Sequence, residues 1–136
     1  MISIAGMYAG GVLTLLMALF HCRFYSLFRW KDVFSGIPQL NARVLYTIHL
    51  ALLLLFFALG AITLLSAEEL SRAEGVSLPL TVSLSLFWLW RFLWQLVHFR
   101  RGKGRLVSPL ELILPAAFFL LFVSYGLPSL CRFFTW

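Results

Sequence analysis

Charge is scarce in this sequence. Five Asp and Glu and eleven Lys and Arg make up 12% of 136 residues, while 62% are hydrophobic. A soluble domain of this length has too little interior to hide so much apolar surface, so the bilayer is the expected solvent. Cysteine is scarcer still, with two residues. Cys22 and Cys131 fall at ends of the first and last apolar stretches, which places them on opposite sides of a membrane and leaves neither a disulfide nor a cysteine metal motif to expect. No internal repeat or low-complexity tract is present, and no alternation of polar and apolar residues is long enough to read as a strand. The net charge of +6 brings no groove-reading motif with it, and the basic residues cluster near apolar segment ends, where anionic headgroups attract them. Nucleic acid is therefore not an expected partner; membrane lipids are.

What the chain has in abundance is long apolar segments. A helix needs about 20 residues at about 1.5 Å rise to cross a hydrocarbon core, and four stretches suffice: helices are expected over about 2–25, 44–67, 77–99 and 109–131. The first lacks the basic start of a secretory signal and its apolar run is too long for one, so it reads as a retained helix. One integral membrane domain, residues 1–136, accounts for the whole sequence.

The few charges orient it. Arg23, Arg29, Lys31 and Arg43 against Asp32 follow the first helix, and Arg100, Arg101, Lys103 and Arg105 follow the third, whereas Glu68, Glu69 and Glu74 against Arg72 follow the second. The positive-inside rule puts both basic connections in the cytoplasm and the acidic one outside. The fold class predicted is all-α: a four-helix transmembrane bundle with up-down topology and both termini non-cytoplasmic. A bacterial inner membrane is the default setting. Tyr25, Trp30 and Tyr46 inside, and Tyr8, Tyr125 and Trp136 outside, fit interfacial belts.

Local signals refine the ends. Ser108 to Glu111 reads as a capping box with proline at the first helical position, Ser77 as a cap for the third helix, and Ser35 to Asn41 as a turn. Gly75 would end a short helical extension in the acidic connection.

Polar residues in a membrane helix turn toward its neighbours, because lipid offers them no partner. Steps of three and four residues align Ser77, Thr81, Ser85, Trp88, Arg91, Gln95 and His98 on the third helix. Similar rows are Gly6, Gly10, Thr14, Met17 and His21 on the first, and Tyr46, His49, Leu53, Phe56, Gly60 and Thr63 on the second. The Gly6/Gly10 start of the first row is a small-xxx-small face suited to close approach by another backbone, in a partner protein or a second copy.

By depth, His21, His49, Arg91, Gln95 and Glu111 all fall in the cytoplasmic half. One polar layer rather than a path through both halves argues against a channel. These five residues are the candidate ligand-binding set. His21 and His49 are also candidate metal ligands: axial ligands of a haem b, with Arg91 on a propionate, or two members of a three-ligand metal site. The bland alternative is interhelical hydrogen bonding. Arg91 has a structural reading as well, pairing with Glu111 or helix-end carbonyls. Glu111 has its capping box, yet a carboxylate near Arg91 and two histidines is the available acid-base set. Cys22 points about 100° away from His21 and reads as packing; His98 reads as interfacial.

Phe20 and His21, Asn41, His49 and the run Phe87 to Gln95 together resemble small bacterial four-helix integral membrane proteins, a likeness over most of the chain that implies no activity. Arg43 and Arg91 give a weaker resemblance to the membrane proteins of eicosanoid and glutathione metabolism, four-helix bundles that form trimers and bind glutathione near the cytoplasmic face. The asparagine and glutamate expected within that family's second helix are missing from Val44 to Ala67, so glutathione chemistry is not implied. The expectation is a membrane protein whose His/Arg/Gln cluster binds a lipid headgroup, quinone or haem-like ligand. The alternatives are a non-catalytic accessory or assembly subunit and a small lipid-modifying or conjugating enzyme.

Overall fold

A computed structural model describes residues 1–98 and 109–134. Those residues are helical throughout apart from turns, in the order α1 (Ile2–Cys22), α2 (Phe24–Leu27), α3 (Trp30–Ser35), α4 (Gln39–Leu65), α5 (Ala67–Ser71), α6 (Ser77–His98) and α7 (Pro109–Phe134). Four of them, α1, α4, α6 and α7, are long and apolar enough to cross a membrane. The basic run from Arg100 to Arg105 and the Ser108 cap lie outside the described residues.

The helix ends depart from expectation in ways the local chemistry explains. α1 stops at Cys22, short of the expected end near residue 25, and two short helices follow, α2 and α3, hinged at Arg29 with φ 50°. These two short helices bury no residue, and leave Tyr25, Leu27, Phe28 and Val33 outward beside Arg23, Arg29 and Lys31. Such a mixture suits a membrane interface. The turn before α4 is shorter than Ser35 to Asn41: Pro38, with φ −53° and ψ 136°, occupies the N-cap, and the helix begins at once with Gln39. A residue without an N–H loses nothing there. Ser77 is the first residue of α6 rather than a cap for it. Its hydroxyl donates to the Glu74 carbonyl (2.6 Å) and accepts from the Glu74 N–H (2.9 Å). Between Ser66 and Ser77, α5 forms a separate turn of helix, and Gly75 takes the left-handed φ of +51° that the reversal into α6 requires.

α1 and α7 form the centre of the bundle. α1 packs along α4 and α7, and α7 packs along α6, giving a row α4, α1, α7, α6. Lipid tails are as apolar as leucine, so close packing rather than transfer from water holds these helices together. Glycines make the approach possible. A Cβ on Gly11 would lie 2.7 Å from Leu64 and 3.3 Å from the Gly60 carbonyl, and one on Gly60 would lie 2.7 Å from Leu15. The Gly6/Gly10 face is buried as well, and the chain's own α7 covers it: Cβ atoms there would meet Leu127 at 2.8 Å and Ser124 at 3.3 Å. Pro128 of α7 removes the N–H that would bond the Ser124 carbonyl, and Gly6 approaches that oxygen.

One end of the bundle is tied by the acidic connection. Ser3 Oγ donates to the Ser71 carbonyl (2.7 Å), and Arg132 Nη1 donates to the Ala73 carbonyl. α7 runs on to Phe134, past the expected end near Cys131. Both cysteines are free.

Candidate functional site

The inward rows expected on α1 and α6 are largely inward. Gly6, Gly10, Thr14 and Met17 are buried on α1, and Ser77, Thr81, Ser85, Trp88 and Gln95 on α6. On α4 only the far half of the row is enclosed, at Phe56, Gly60 and Thr63; Tyr46 is exposed and His49 half-buried.

His21 and His49 do meet. Their ring centroids are 6.0 Å apart with planes 21° from parallel. Phe24 packs against both, 4.2 Å from His21 and 5.7 Å from His49 and nearly parallel to each. Trp30 closes on His49 edge-to-face at 4.7 Å. As for a non-haem metal, no group of three His, Cys, Asp or Glu side chains able to hold an ion occurs among the described residues.

The His21 side chain is fixed by its own helix. Nδ1 is 2.8 Å from the Met17 carbonyl, and since a carbonyl can only accept, Nδ1 carries the proton. The neutral ring then presents Nε2 as an acceptor.

Arg91 joins His21 in the wall of a cavity of about 300 Å³. α1 contributes Met17 and His21, α2 Phe24, α4 Leu52 and Phe56, α6 Phe87, Trp88, Trp90 and Arg91, and α7 Leu114 and Phe118. The half-buried Arg91 guanidinium lies 4.6 Å over the Phe118 ring, a cation–π contact. Trp88 and Phe118 stack at 5.8 Å and Phe56 meets Trp88 at 5.5 Å, so the wall is aromatic on three sides. Pockets that bind lipophilic ligands combine such a lining with a few directed polar groups.

The other predicted residues stand apart from this cavity. Gln95 is buried one turn beyond Arg91, and its Oε1 has no hydrogen-bond partner among the described residues. Glu111 is half-buried in the first turn of α7, one turn outside Leu114, and does not line the wall. His49 does not line it either. His98 is exposed and stacks on Trp94 at 3.6 Å.

A second polar cluster escaped the sequence. Tyr125, expected in an interfacial belt, is fully buried, its hydroxyl 3.0 Å from both Thr14 Oγ1 and Thr63 Oγ1. It links α1, α4 and α7 at the centre of the row. The three-four spacing of Thr14 and Thr63 on their rows was the available signal. A tyrosine near a helix end reads as interfacial unless its face is known.

Set beside known proteins, the chain matches no family model, no curated protein and no solved structure.

Proposed function

We propose that this chain is an up-down four-helix membrane protein that binds a lipophilic ligand in the His21/Arg91 cavity. The observation that carries the reading is the composition of the cavity wall: aromatic and aliphatic side chains throughout, with one imidazole and one guanidinium on it. The guanidinium carries N–H donors for a ligand oxygen and the imidazole an acceptor. The basic residues from Arg23 to Arg43 lie at the same end as the cavity, which by the charge rule is the cytoplasmic half, with both termini outside. A bacterial cytoplasmic membrane is the setting we assign.

The test is extraction. Wild type and Arg91→Leu are purified in the same mild detergent, and bound small molecules are taken into organic solvent and identified by mass spectrometry. A lipophile stoichiometric with wild type and lost from a monodisperse Arg91→Leu supports the reading. The same trace lipids in both would refute it.

A further inference from the structure

The cavity lies on the open flank of the row. α4 and α6 both contribute to its wall, yet they pack on α1 and α7 rather than along each other, and they meet there through the rings of Phe56 and Trp88. At the far end α5 bridges α1, α4 and α6. The separation between α4 and α6 therefore opens toward the lipid at the level of the cavity, where Phe87 and Trp90 are 37% and 53% exposed.

The two polar groups on the wall have opposite hydrogen-bonding characters. Arg91 can only donate. His21, with Nδ1 committed to the Met17 carbonyl, can only accept at Nε2 while neutral. A ligand that satisfies both carries an acceptor oxygen and an O–H donor. Phospholipid headgroups with a hydroxyl meet that requirement, and so do phenols and quinols. The wall decides between them: the rings of Phe24, Phe56, Trp88 and Phe118 offer flat faces to a flat headgroup, and they leave a phosphodiester, which accepts at several oxygens, a single guanidinium as the only charged donor side chain among the described residues of the wall. About 300 Å³ is the low end for a ligand pocket, enough for a ring headgroup and not for its tail.

Resting on the ligand-binding reading above, we infer that the cavity takes the hydroxylated aromatic headgroup of a membrane-borne lipid, a quinol or a long-chain phenol with a second ring oxygen. The ring hydroxyl donates to His21 Nε2, a second ring oxygen accepts from Arg91, and the tail leaves between α4 and α6 into the bilayer.

The protein in lipid nanodiscs is titrated by calorimetry with four probes: a decyl-substituted benzoquinol under reducing conditions, its dimethyl ether, the matching benzoquinone, and a polyprenyl-tailed quinol. The expected result is that the quinol binds about tenfold tighter than the ether and the quinone, the worth of one donated hydrogen bond, and that the polyprenyl tail does not weaken binding. His21→Phe abolishes the preference for O–H over ether, while Arg91→Leu weakens the quinol and the ether alike. Quinone binding equal to or tighter than quinol overturns the assignment of His21 as acceptor, and loss of binding with the polyprenyl tail overturns the lateral opening. If no ring probe binds but nanodiscs of phosphatidylglycerol stabilise wild type over Arg91→Leu and those of phosphatidylcholine do not, the aromatic class falls and the ligand-binding reading survives. If no probe binds and no lipophile co-purifies, both fall.

Discussion

Replacing Tyr125 with Phe tests how the centre of the bundle is held. The phenol oxygen is 3.0 Å from Thr14 Oγ1 and from Thr63 Oγ1, while the two threonines lie 2.8 Å and 2.7 Å from the carbonyls of Gly10 and Leu59 in their own helices. Carbonyls only accept, so both threonine protons are spoken for. The phenol has one proton, and three hydroxyl protons must serve four contacts. Only one of the two interhelical contacts can therefore be a full hydrogen bond at any moment. Interhelical hydrogen bonds in membrane proteins contribute about 0.6 kcal/mol on average and about 1.7 at most. Phe keeps the ring that fills this fully buried site and leaves both threonines bonded to their own carbonyls, so Tyr125→Phe should cost about 1 kcal/mol. Thr14→Val or Thr63→Val alone should cost less, because the phenol turns its proton to the remaining threonine. Together they should cost more than their sum, since the buried phenol is then orphaned at about 1–3 kcal/mol. Reversible unfolding in mixed micelles with sodium dodecyl sulfate, followed by circular dichroism, measures each. Additive threonine losses, or a Tyr125→Phe cost above about 3 kcal/mol, would show that the proton count is wrong.

Further perturbations separate packing from binding. Gly11→Ala and Gly60→Ala each force a Cβ to within 2.7 Å of a leucine side chain, and Gly60→Ala also meets the Leu15 backbone nitrogen at 3.2 Å; overpacking of this kind costs about 1–3 kcal/mol. Gly36→Ala, whose Cβ would meet nothing closer than 3.6 Å, is the control, and equal stability of all three variants would rule out the close α1–α4 approach. Gln95→Leu removes a buried amide whose Oε1 has no partner among the described residues, so its thermal stability in detergent should equal or exceed wild type; a loss of more than about 1 kcal/mol would mean that the amide is satisfied. His49→Phe stays within the Phe24–Trp30 cluster and off the cavity wall, so it should leave ligand affinity unchanged where His21→Phe does not. Equal loss in both would return the pair to a shared site.

Helix ends show where local reading works. α6 starts within a residue of where composition placed it, with Ser77 inside the helix rather than capping it, because a long apolar run bounded by Ser, Pro or Gly has few other ways to satisfy its backbone. The first helix, expected to about residue 25, ends at Cys22, because the chain bends at Arg23 and again at Arg29 and sets Phe24, Leu27 and Phe28 on a separate short turn. Hydropathy cannot distinguish a span from an interfacial helix built from the same residues.

The candidate site was legible in part for the same kind of reason. Periodicity put His21 and Arg91 on inward rows, and both line one cavity. It could not tell that Glu111 and His49 fall outside that wall, that Phe24 sits against both imidazoles, or that Tyr125 points into the centre. Each depends on the rotation of one helix against another, which row spacing leaves free.

Sequence alone determined that the chain forms four membrane-length helices, which face of α1 and α6 turns inward, and which chemical groups lie along those faces. These are properties of one segment in its solvent, set by backbone satisfaction and by the 3.6-residue turn. Tertiary structure alone decided that α1 and α7 form the centre, that the Gly6/Gly10 face is spent inside the chain, and that α4 and α6 leave an opening beside His21 and Arg91. Those outcomes rest on many contacts of about 0.1–0.2 kcal/mol each. Their sum depends on how surfaces of different helices fit, and no single stretch of sequence records that fit.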